Sequence, residues 1–288
     1  MASDFFLKRV AILGTGLIGG SFALALREHS PQTRIMGFDR EAALREALER
    51  RAIEDSSNDL ASAVKGADLV YIALPISATI ELLPEIARHS PADALVTDAC
   101  STKRAVCKVA AQHFKSGGAL FLGGHPMAGR ESSGIAAANA SLFAGSPYLL
   151  IGEEPNEEKL DSRVAVFLSL IEKLGAHPKW LDADTHDWAV GIISHLPQLA
   201  SIALANLIAE EDDDPPILPA LAGPGARDAL RLAGSPYAMW RDIALTNSDN
   251  IARALDRLSQ AIEHLRAQLT SRELEKLFAE ANRLQRSL

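Results

Sequence analysis

The sequence contains little cysteine and fewer basic than acidic side chains. Its 288 residues include two cysteines, Cys100 and Cys107, which are too few for a disulfide framework in a chain of this length. This usage fits a reducing compartment, so we expect a cytoplasmic protein. Lys and Arg total 29 against 37 Asp and Glu, and the net charge of -8 argues against nucleic acid or an anionic membrane as the main partner.

Long apolar runs are also scarce. Residues 1–10 include Asp4 and hold too short an apolar run for a signal peptide, so we expect no secretory leader. The stretch 190–209 is long and mostly apolar, but it contains His195 and Gln198. Because such polar groups are costly in hydrocarbon, the stretch predicts a buried helix of a helical domain and not a membrane span.

The pattern that is present alternates short apolar strands with amphipathic helices as far as residue 181. A composition of 48% hydrophobic and 23% charged residues is typical of a globular protein with one large or two ordinary domains. Beyond residue 182 strand patterns nearly vanish and helical patterns take over, as at 247–269 and 271–284. We therefore predict an α/β domain over residues 1–181 and an all-helical domain over residues 182–288.

A glycine-rich turn follows the first predicted strand, Arg9–Leu13, and precedes a predicted helix over 21–28. In this context the pattern G-x-G-x-x-G predicts a dinucleotide site. The first glycine permits a tight turn, the second lets a pyrophosphate approach the backbone, and the third lets the helix pack on the strand. The helix start then offers N–H groups to the phosphates. The predicted cofactor-binding residues of this turn are Gly14, Thr15, Gly16, Leu17, Ile18 and Gly19.

The second predicted strand, Arg34–Phe38, is followed by an acidic residue. Asp39 lies twenty positions beyond Gly19, where a carboxylate accepts hydrogen bonds from the adenosine ribose and repels a 2′-phosphate. Asp39 therefore favours NAD, while the adjacent Arg40 leaves NADP open. Pro75 closes the third predicted strand, and the loop after it is expected near the ribose or nicotinamide half of the cofactor.

One histidine stands directly after a pair of glycines that ends a strand. The apolar run 119–122 predicts a fifth strand, and His125 follows it between Gly124 and Pro126. In an open α/β sheet, ligands bind at the carboxyl ends of the strands, so His125 is a candidate catalytic residue. A histidine in a Gly/Pro turn also has a purely structural interpretation.

The helical half carries further polar candidates. His195 precedes Pro197, and a proline within a helix is expected to kink it and to shape a pocket beside the histidine. Arg231 stands in an otherwise acidic protein. A guanidinium near a pocket holds a carboxylate by a bidentate pair, and a plain surface arginine is the alternative.

Four residues at a predicted helix start look superficially like metal ligands: Asp182, Asp184, His186 and Asp187. Because acidic residues at such a place offset the helix dipole and cap N–H groups, we predict no metal site. Ser101 and Thr102 are likewise predicted to cap the helix over 103–114. For Ser101 a capping role is compatible with a catalytic one.

Together these motifs resemble those of the prephenate/arogenate dehydrogenases, the oxidoreductases of tyrosine biosynthesis. The segments that carry the resemblance are 14–20, 98–103, 125–129, 194–197, 228–231 and 239–241. The resemblance implies an N-terminal Rossmann dinucleotide-binding domain followed by a C-terminal all-helical domain that dimerises. It also implies NAD(P)-dependent oxidative decarboxylation of a cyclohexadienyl acid, prephenate or arogenate, by a homodimer.

The resemblance assigns roles to individual residues. His125 matches the catalytic histidine, and Ser101, which also lies by the cofactor, matches the serine that supports it. The residues placed at the substrate are His195, Arg231, Trp240 and Glu131. Cys100 and Arg130 depart from the family's pattern close to the expected substrate site, which leaves the preference between prephenate and arogenate open.

Two other functions are compatible with part of the pattern. A Rossmann-plus-helical dehydrogenase of β-hydroxy acids shares the glycine turn, but such enzymes usually use a lysine where this chain offers His195. A non-catalytic NAD-binding sensor needs the glycine turn and Asp39 but needs neither His125 nor Arg231. The joint pattern therefore favours a dehydrogenase that acts on a small molecule.

Overall fold

Six parallel strands of the described chain form one sheet in the order β3-β2-β1-β4-β5-β6. The computed structural model describes residues 7–129, 133–156, 158, 160–212 and 217–287. The strand order reverses direction between β1 and β4, as in dinucleotide-binding domains, and this confirms the fold predicted for the first half. The strands are β1 (Arg9–Leu13), β2 (Arg34–Phe38), β3 (Asp55–Ser57), β4 (Leu69–Ile72), β5 (Leu95–Asp98) and β6 (Leu120–Leu122).

The central strands are buried because both faces of the sheet are covered. All four residues of β4 and of β5 are buried, which explains the continuous apolar sequence of β4, whereas β5 ends in the buried polar residues Thr97 and Asp98. By contrast, β3 consists of Asp55–Ser57 at the edge of the sheet. Sequence analysis missed this strand because three polar residues carry no apolar signal.

Helices pack on this sheet through apolar faces. The ring of Phe22 stacks on Tyr71 of β4, with centroids 3.9 Å apart. Burying such a side chain contributes about 1.5–3 kcal/mol. The helices up to residue 190 are α1 (Leu17–His29), α2 (Glu41–Glu49), α3 (Leu60–Val64), α4 (Ile76–His89), α5 (Arg104–His113), α6 (Ser162–Lys173) and α7 (Ala183–Val190).

A second sheet of three strands carries the candidate histidine. Its order is β7 (Gly124–Pro126), β8 (Pro147–Ile151) and β9 (His177–Leu181), with β7 antiparallel and β9 parallel to β8. The expectation that the fifth strand of the parallel sheet delivers His125 is therefore wrong. The chain leaves that sheet after Leu122, and the carbonyl oxygen of Gly123 accepts a hydrogen bond from Ile151 N at 2.9 Å, which starts the new pairing.

The remaining elements of the described chain are helical. A π-helical turn, Gly191–His195, leads into α8 (Leu196–Glu210). The predicted kink at Pro197 is therefore a widened, π-helical turn directly before the proline, which lies in the first turn of α8. The helices that follow are α9 (Leu218–Leu221), α10 (Pro224–Leu230), α11 (Tyr237–Thr246), α12 (Ser248–Ala267) and α13 (Glu273–Gln285).

The chain divides into two compact units. The first comprises residues 1–190 and 234–246, and the second comprises residues 191–233 and 247–288. Helix α11 therefore belongs to the unit of the sheets, although it lies among the helices of the second unit in sequence. The boundary at residues 181/182 stays a prediction.

One helical segment of the described chain, Ala183–Glu210, is long and apolar enough to meet a membrane-span criterion based on length and composition alone. Core helices of soluble proteins meet the same criterion. Several polar side chains of this segment are buried against the protein, among them His186, His195 and Gln198. The segment therefore uses its polar residues for internal packing.

Candidate active site

The glycine turn lies where β1 passes into α1. Gly14 has a φ of +95°, and a Cβ there would lie 2.4 Å from the carbonyl oxygen of Ala73, so the turn requires glycine. A Cβ on Gly19 would lie 1.9 Å from the carbonyl oxygen of Gly14, which explains how closely α1 approaches the strand. In contrast, a Cβ built on Gly16 would lie in open space, with no atom within 4 Å from any described residue other than Gly16 and its immediate chain neighbours.

The first turn of α1 offers uncompensated N–H groups. Gly16 is its N-cap residue, no side chain of the described residues caps it, and its first turn contains no acidic residue. The positive end of the helix dipole is therefore exposed beside the open space at Gly16. An anionic pyrophosphate fits this place by charge and by room.

Asp39 lies at the same end of the sheet as the glycine turn. Its Oδ2 atom accepts hydrogen bonds from Thr15 N at 2.7 Å and from Thr15 Oγ1 at 3.1 Å, and its Oδ1 accepts from Arg40 N at 2.7 Å. Pro75 is the N-cap of α4, just beyond the Ala73 carbonyl that packs on Gly14. The structure thus brings the predicted cofactor residues of three strand ends together.

A buried ion pair holds the peptide that precedes His125. Lys103 Nζ donates to Asp98 Oδ2, and it also donates to the carbonyl oxygen of Gly124 at 2.6 Å. Asp98 Oδ1 accepts from Gly124 N at 3.2 Å, so both polar groups of Gly124 are engaged. Both charged side chains are 0% exposed. Burial by itself lowers the pKa of Lys103, but the Asp98 carboxylate outweighs it and the pKa is raised.

The imidazole of His125 contacts a second imidazole. His125 Nδ1 lies 2.9 Å from His186 Nε2, and His186 Nδ1 lies 2.8 Å from Asp187 Oδ1. Both His186 and Asp187 are 0% exposed, and His125 is 9% exposed. Three side chains from β7 and α7 therefore form one hydrogen-bonded row.

The start of α5 is capped by a residue from another helix. Asp187 Oδ1 accepts from Lys103 N at 2.7 Å, and Asp187 Oδ2 accepts from Arg104 N at 3.0 Å. The prediction that Ser101 and Thr102 cap this helix is therefore wrong, because a carboxylate distant in sequence occupies the capping position.

Ser101 and Thr102 lie beside this cap with other contacts. Thr102 Oγ1 is 2.7 Å from Thr246 Oγ1 of α11. In the described part of the chain no hydrogen bond joins Ser101 to His125, and Ser101 stays a predicted site residue.

Trp240 lies on α11. This helix is anchored where Asp242 Oδ2 accepts a hydrogen bond from Ser77 N at 2.9 Å.

In the helical unit, His195 is buried and held by an asparagine pair. Asn247 Nδ2 lies 3.3 Å from His195 Nδ1, and Asn250 Nδ2 donates to Asn247 Oδ1 at 2.7 Å. Arg231 begins a 3-10 turn, Arg231–Gly234, and is exposed. Of the remaining predicted substrate residues, Glu131 lies outside the described residues.

The turn that starts with Arg231 is fixed on α8. Gln198 Nε2 donates to the carbonyl oxygen of Leu232 at 2.7 Å, and Ser201 Oγ accepts from Ala233 N at 3.0 Å. Gln198 lies one helical turn after His195, so the structure places His195 and Arg231 on one helical framework.

Acidic residues near the start of α7 accept hydrogen bonds from backbone N–H groups. Asp182 Oδ1 accepts from Thr185 N at 2.9 Å, and Asp187 caps α5. Among the described residues no group of three or more His, Cys, Asp or Glu side chains is placed to hold a metal ion.

Cys100 is buried and burial raises the pKa of its thiol, which suits packing and not nucleophilic attack.

Sequence reasoning missed four functional side chains of this site: Asp98, Lys103, His186 and Asp187. The segment 98–103 was part of the family resemblance, but neither charge was given a role. The sequence pattern of His186 and Asp187 predicts helix-start residues, with a metal site as the disfavoured alternative. A histidine and an aspartate adjacent in sequence carry no signal that a second histidine, 61 positions away, contacts them.

Family models match both halves of the chain. A model of the prephenate dehydrogenase nucleotide-binding domain matches residues 22–179, and a model of the prephenate dehydrogenase dimerization domain matches residues 182–282. The chain belongs to the prephenate dehydrogenase family. The membership confirms the family inferred from the motifs.

Relatives in this family match over most of their length. The chain is 36% identical over 273 residues to a prephenate dehydrogenase of Bacillus subtilis, covering 93% of this chain and 72% of that protein. Its structure resembles that of prephenate dehydrogenase from A. aeolicus in complex with hydroxyphenyl propionate and NAD+, with a TM-score of 0.85, 26% identity and coverage of 99% and 98% of the two chains. It also resembles Synechocystis arogenate dehydrogenase, with a TM-score of 0.79, 30% identity and coverage of 97% and 99%.

Proposed function

We propose that this member of the prephenate dehydrogenase family catalyses the NAD-dependent oxidative decarboxylation of prephenate, of arogenate or of both. The products are 4-hydroxyphenylpyruvate and tyrosine, respectively. The observation that carries the proposal is a buried histidine, His125, next to Gly124, whose N–H donates to Asp98 at the carboxyl end of β5, in a chain whose two halves both match this family. The family match disfavours the alternative of a β-hydroxyacid dehydrogenase.

The glycine turn and Asp39 fit NAD. The open space at Gly16 and the uncapped start of α1 suit the pyrophosphate, and Asp39 presents a carboxylate at the end of β2, where the adenosine ribose is expected. A carboxylate there repels a 2′-phosphate. We therefore propose NAD as the preferred cofactor, with NADP as the weaker one.

The proposed chemistry needs one base and one anion-binding group. When bound, NAD takes the hydride from the ring carbon that carries the hydroxyl. His125 accepts the hydroxyl proton as the hydride leaves. The bond between the ring and its carboxylate then breaks, CO2 departs, and the electron pair of that bond completes the aromatic ring. The proton held by His125 returns to the phenolate oxygen, so the histidine ends the cycle neutral.

Arg231 is proposed to bind a carboxylate of the substrate. Its guanidinium is exposed on a turn that is fixed to α8, and both substrates carry two carboxylates. We expect Arg231→Ala to raise KM by at least ~10-fold with a smaller change in kcat, which is the pattern of lost uniform binding. Steady-state kinetics measure both constants, with Arg227→Ala on the neighbouring helix as the matched control. An unchanged KM would reject the anchoring role.

A direct assay tests the proposed reaction. Purified protein is mixed with NAD, and reduced cofactor is followed by absorbance with prephenate in one cuvette and arogenate in another. Turnover with either substrate supports the function, and the ratio of the two kcat/KM values gives the preference. If neither substrate is turned over with NAD or with NADP, the proposed dehydrogenase activity is refuted. That result would favour a non-catalytic NAD-binding sensor.

We propose in addition that the protein is a cytoplasmic homodimer that associates through its predicted helical domain, residues 182–288, while residues 1–181 bind the cofactor. Helix α12 supports this, because its apolar stripe starts buried, with Ile251 7% and Ala254 5% exposed, and continues exposed at Ile262 and Leu265, 56% and 45%. An exposed apolar stripe of this kind is typical of an association surface. The match to a dimerization domain agrees with it.

A charge placed in the stripe tests the dimer. We expect Ile262→Glu to convert a dimer into a monomer in light scattering at micromolar concentration, because a carboxylate is costly in an apolar interface. Gln260→Glu is the matched control, since it adds the same charge on the opposite, exposed face of α12 and should remain dimeric. A monomeric wild-type protein would refute the homodimer, and a dimeric Ile262→Glu would exclude this face of α12.

A further inference from the structure

The row formed by His125, His186 and Asp187 is closed to solvent at its inner two members, and His125 at its outer end is 9% exposed. The two hydrogen-bond distances, 2.9 Å between the imidazoles and 2.8 Å between His186 and the carboxylate, are those of well-formed bonds. His186 and Asp187 are completely buried. A buried row of this kind can hold only a few arrangements of its protons, because every donor must face an acceptor.

The direction of the hydrogen bonds follows from the carboxylate. An ionised carboxylate only accepts, so His186 Nδ1 must donate to Asp187. A neutral His186 then has only an acceptor at Nε2, so His125 Nδ1 must donate to it. Burial lowers the pKa of His186, which keeps this ring neutral. Burial by itself raises the pKa of Asp187, but hydrogen bonds from His186, Arg104 N and Lys103 N outweigh it, and the pKa is lowered.

The far end of the row is fixed to the scaffold. Asp187 accepts from two backbone N–H groups at the start of α5, and Arg104 Nε lies 3.3 Å from its Oδ2. The positive end of a helix dipole favours the charged carboxylate. Asp187 therefore cannot turn away from His186 without uncapping α5.

We propose that His186 and Asp187 are positioning residues that hold His125 as its Nδ1–H tautomer and so make Nε2 the nitrogen that takes the substrate proton. The inference rests on the proposed function for the identity of that proton. This row of His125, His186 and Asp187, called the relay below, adds a second support for His125 to the one predicted at Ser101. It also gives His125 a partner on α7, a helix whose sequence pattern indicates capping residues at its start.

The tautomer is measurable without turnover. In wild-type protein labelled with nitrogen-15 in histidine, two-dimensional NMR of the imidazoles distinguishes protonated from unprotonated ring nitrogens, and the signals of His125 are identified by their loss in His125→Asn. We expect both His125 and His186 to be protonated at Nδ1 at neutral pH. A His125 ring protonated at Nε2 alone would overturn the proposal, whether or not the protein turns over prephenate or arogenate.

Two variants at one position test the consequence for rate. His186→Leu removes the acceptor, and we expect kcat to fall about 10- to 100-fold, the scale found for groups that orient a functional ring, with KM changed less than about threefold. His186→Gln keeps an acceptor for His125 and a donor for Asp187, so we expect kcat within about threefold of wild type. His177→Leu, at an exposed position on β9, is the matched control.

The pH profile separates positioning from a loss of packing. The charged groups around the two imidazoles are Asp187, Lys103, Asp98 and, through Asp187, Arg104. The acceptor on His186 stabilises a protonated His125, so its loss in His186→Leu should move the acid-side midpoint of kcat/KM to lower pH. In His186→Gln the midpoint should stay. Equal impairment of both variants with an unmoved midpoint would overturn the relay.

The outcomes distinguish the relay from the proposed function. A wild-type protein that does not turn over either substrate contradicts the function, and the NMR experiment still decides the tautomer. A wild-type protein that turns over, together with a His186→Leu variant of unchanged kcat, contradicts the relay alone. If His186→Leu does not fold, as judged by circular dichroism, His186→Gln and the NMR experiment still carry the test.

Discussion

Replacing His125 with asparagine lowers kcat by at least ~100-fold and leaves NAD binding intact, because a positioned general base contributes about 10²- to 10⁴-fold. Asparagine keeps a polar group toward His186 but has no nitrogen that accepts a proton at neutral pH. The residues proposed to bind NAD, among them Gly16 and Asp39, do not include this side chain. Steady-state kinetics measure the rate, and calorimetric titration measures NAD affinity.

The control for this variant is His177→Asn, which makes the same change at an exposed position of β9 and should keep the wild-type kcat. A near-wild-type rate in His125→Asn would remove His125 from the mechanism. A loss of NAD binding in the same variant would show that the substitution disturbs the fold around the cofactor, and the rate effect would then not report on the base.

Replacing Lys103 with methionine destabilises the protein by about 3–5 kcal/mol, the usual cost of leaving one partner of a buried ion pair without the other. Lys103 and Asp98 are both 0% exposed, so removing the ammonium leaves a carboxylate buried without its ion partner. Because Lys103 also donates to the carbonyl of Gly124, the variant loosens the peptide before His125 as well. Urea unfolding monitored by circular dichroism measures the free energy of unfolding.

Two further variants show whether burial is the cause. Lys276→Met removes a lysine from an exposed pair with Glu273 and should leave the free energy of unfolding close to the wild-type value. The double variant Asp98→Asn/Lys103→Met contains neither charge and should be more stable than Lys103→Met alone. A Lys103→Met variant as stable as Lys276→Met would contradict the proposed weight of the ion pair.

The Asp98–Lys103 pair and the His186–Asp187 pair hold His125 at different atoms. The first fixes the peptide of Gly124 through both of its polar groups, and the second fixes the imidazole through Nδ1. Backbone and ring are thereby held independently. We expect a change in the first pair to affect stability strongly and a change at His186 to affect mainly kcat.

Much of the cofactor site was predictable from the sequence because its signals are local. Gly14, Gly16 and Gly19 stand in one short turn, and Asp39 directly follows a strand. Each feature depends on residues that are neighbours in the chain. The apolar runs of β1 and β4 are equally local, since strands buried on both faces favour apolar side chains.

What the sequence by itself determined is therefore the dinucleotide-binding half, the helical half and His125 as the candidate base. Only the tertiary structure decided that His125 lies in a second sheet and that Asp187 caps α5 from 84 positions away. It also decided that Lys103 is buried in an ion pair and is not a surface charge. The physical reason is that these features depend on contacts between distant residues. A charged side chain looks the same in sequence whether water or a buried partner satisfies it, and only folding selects between the two.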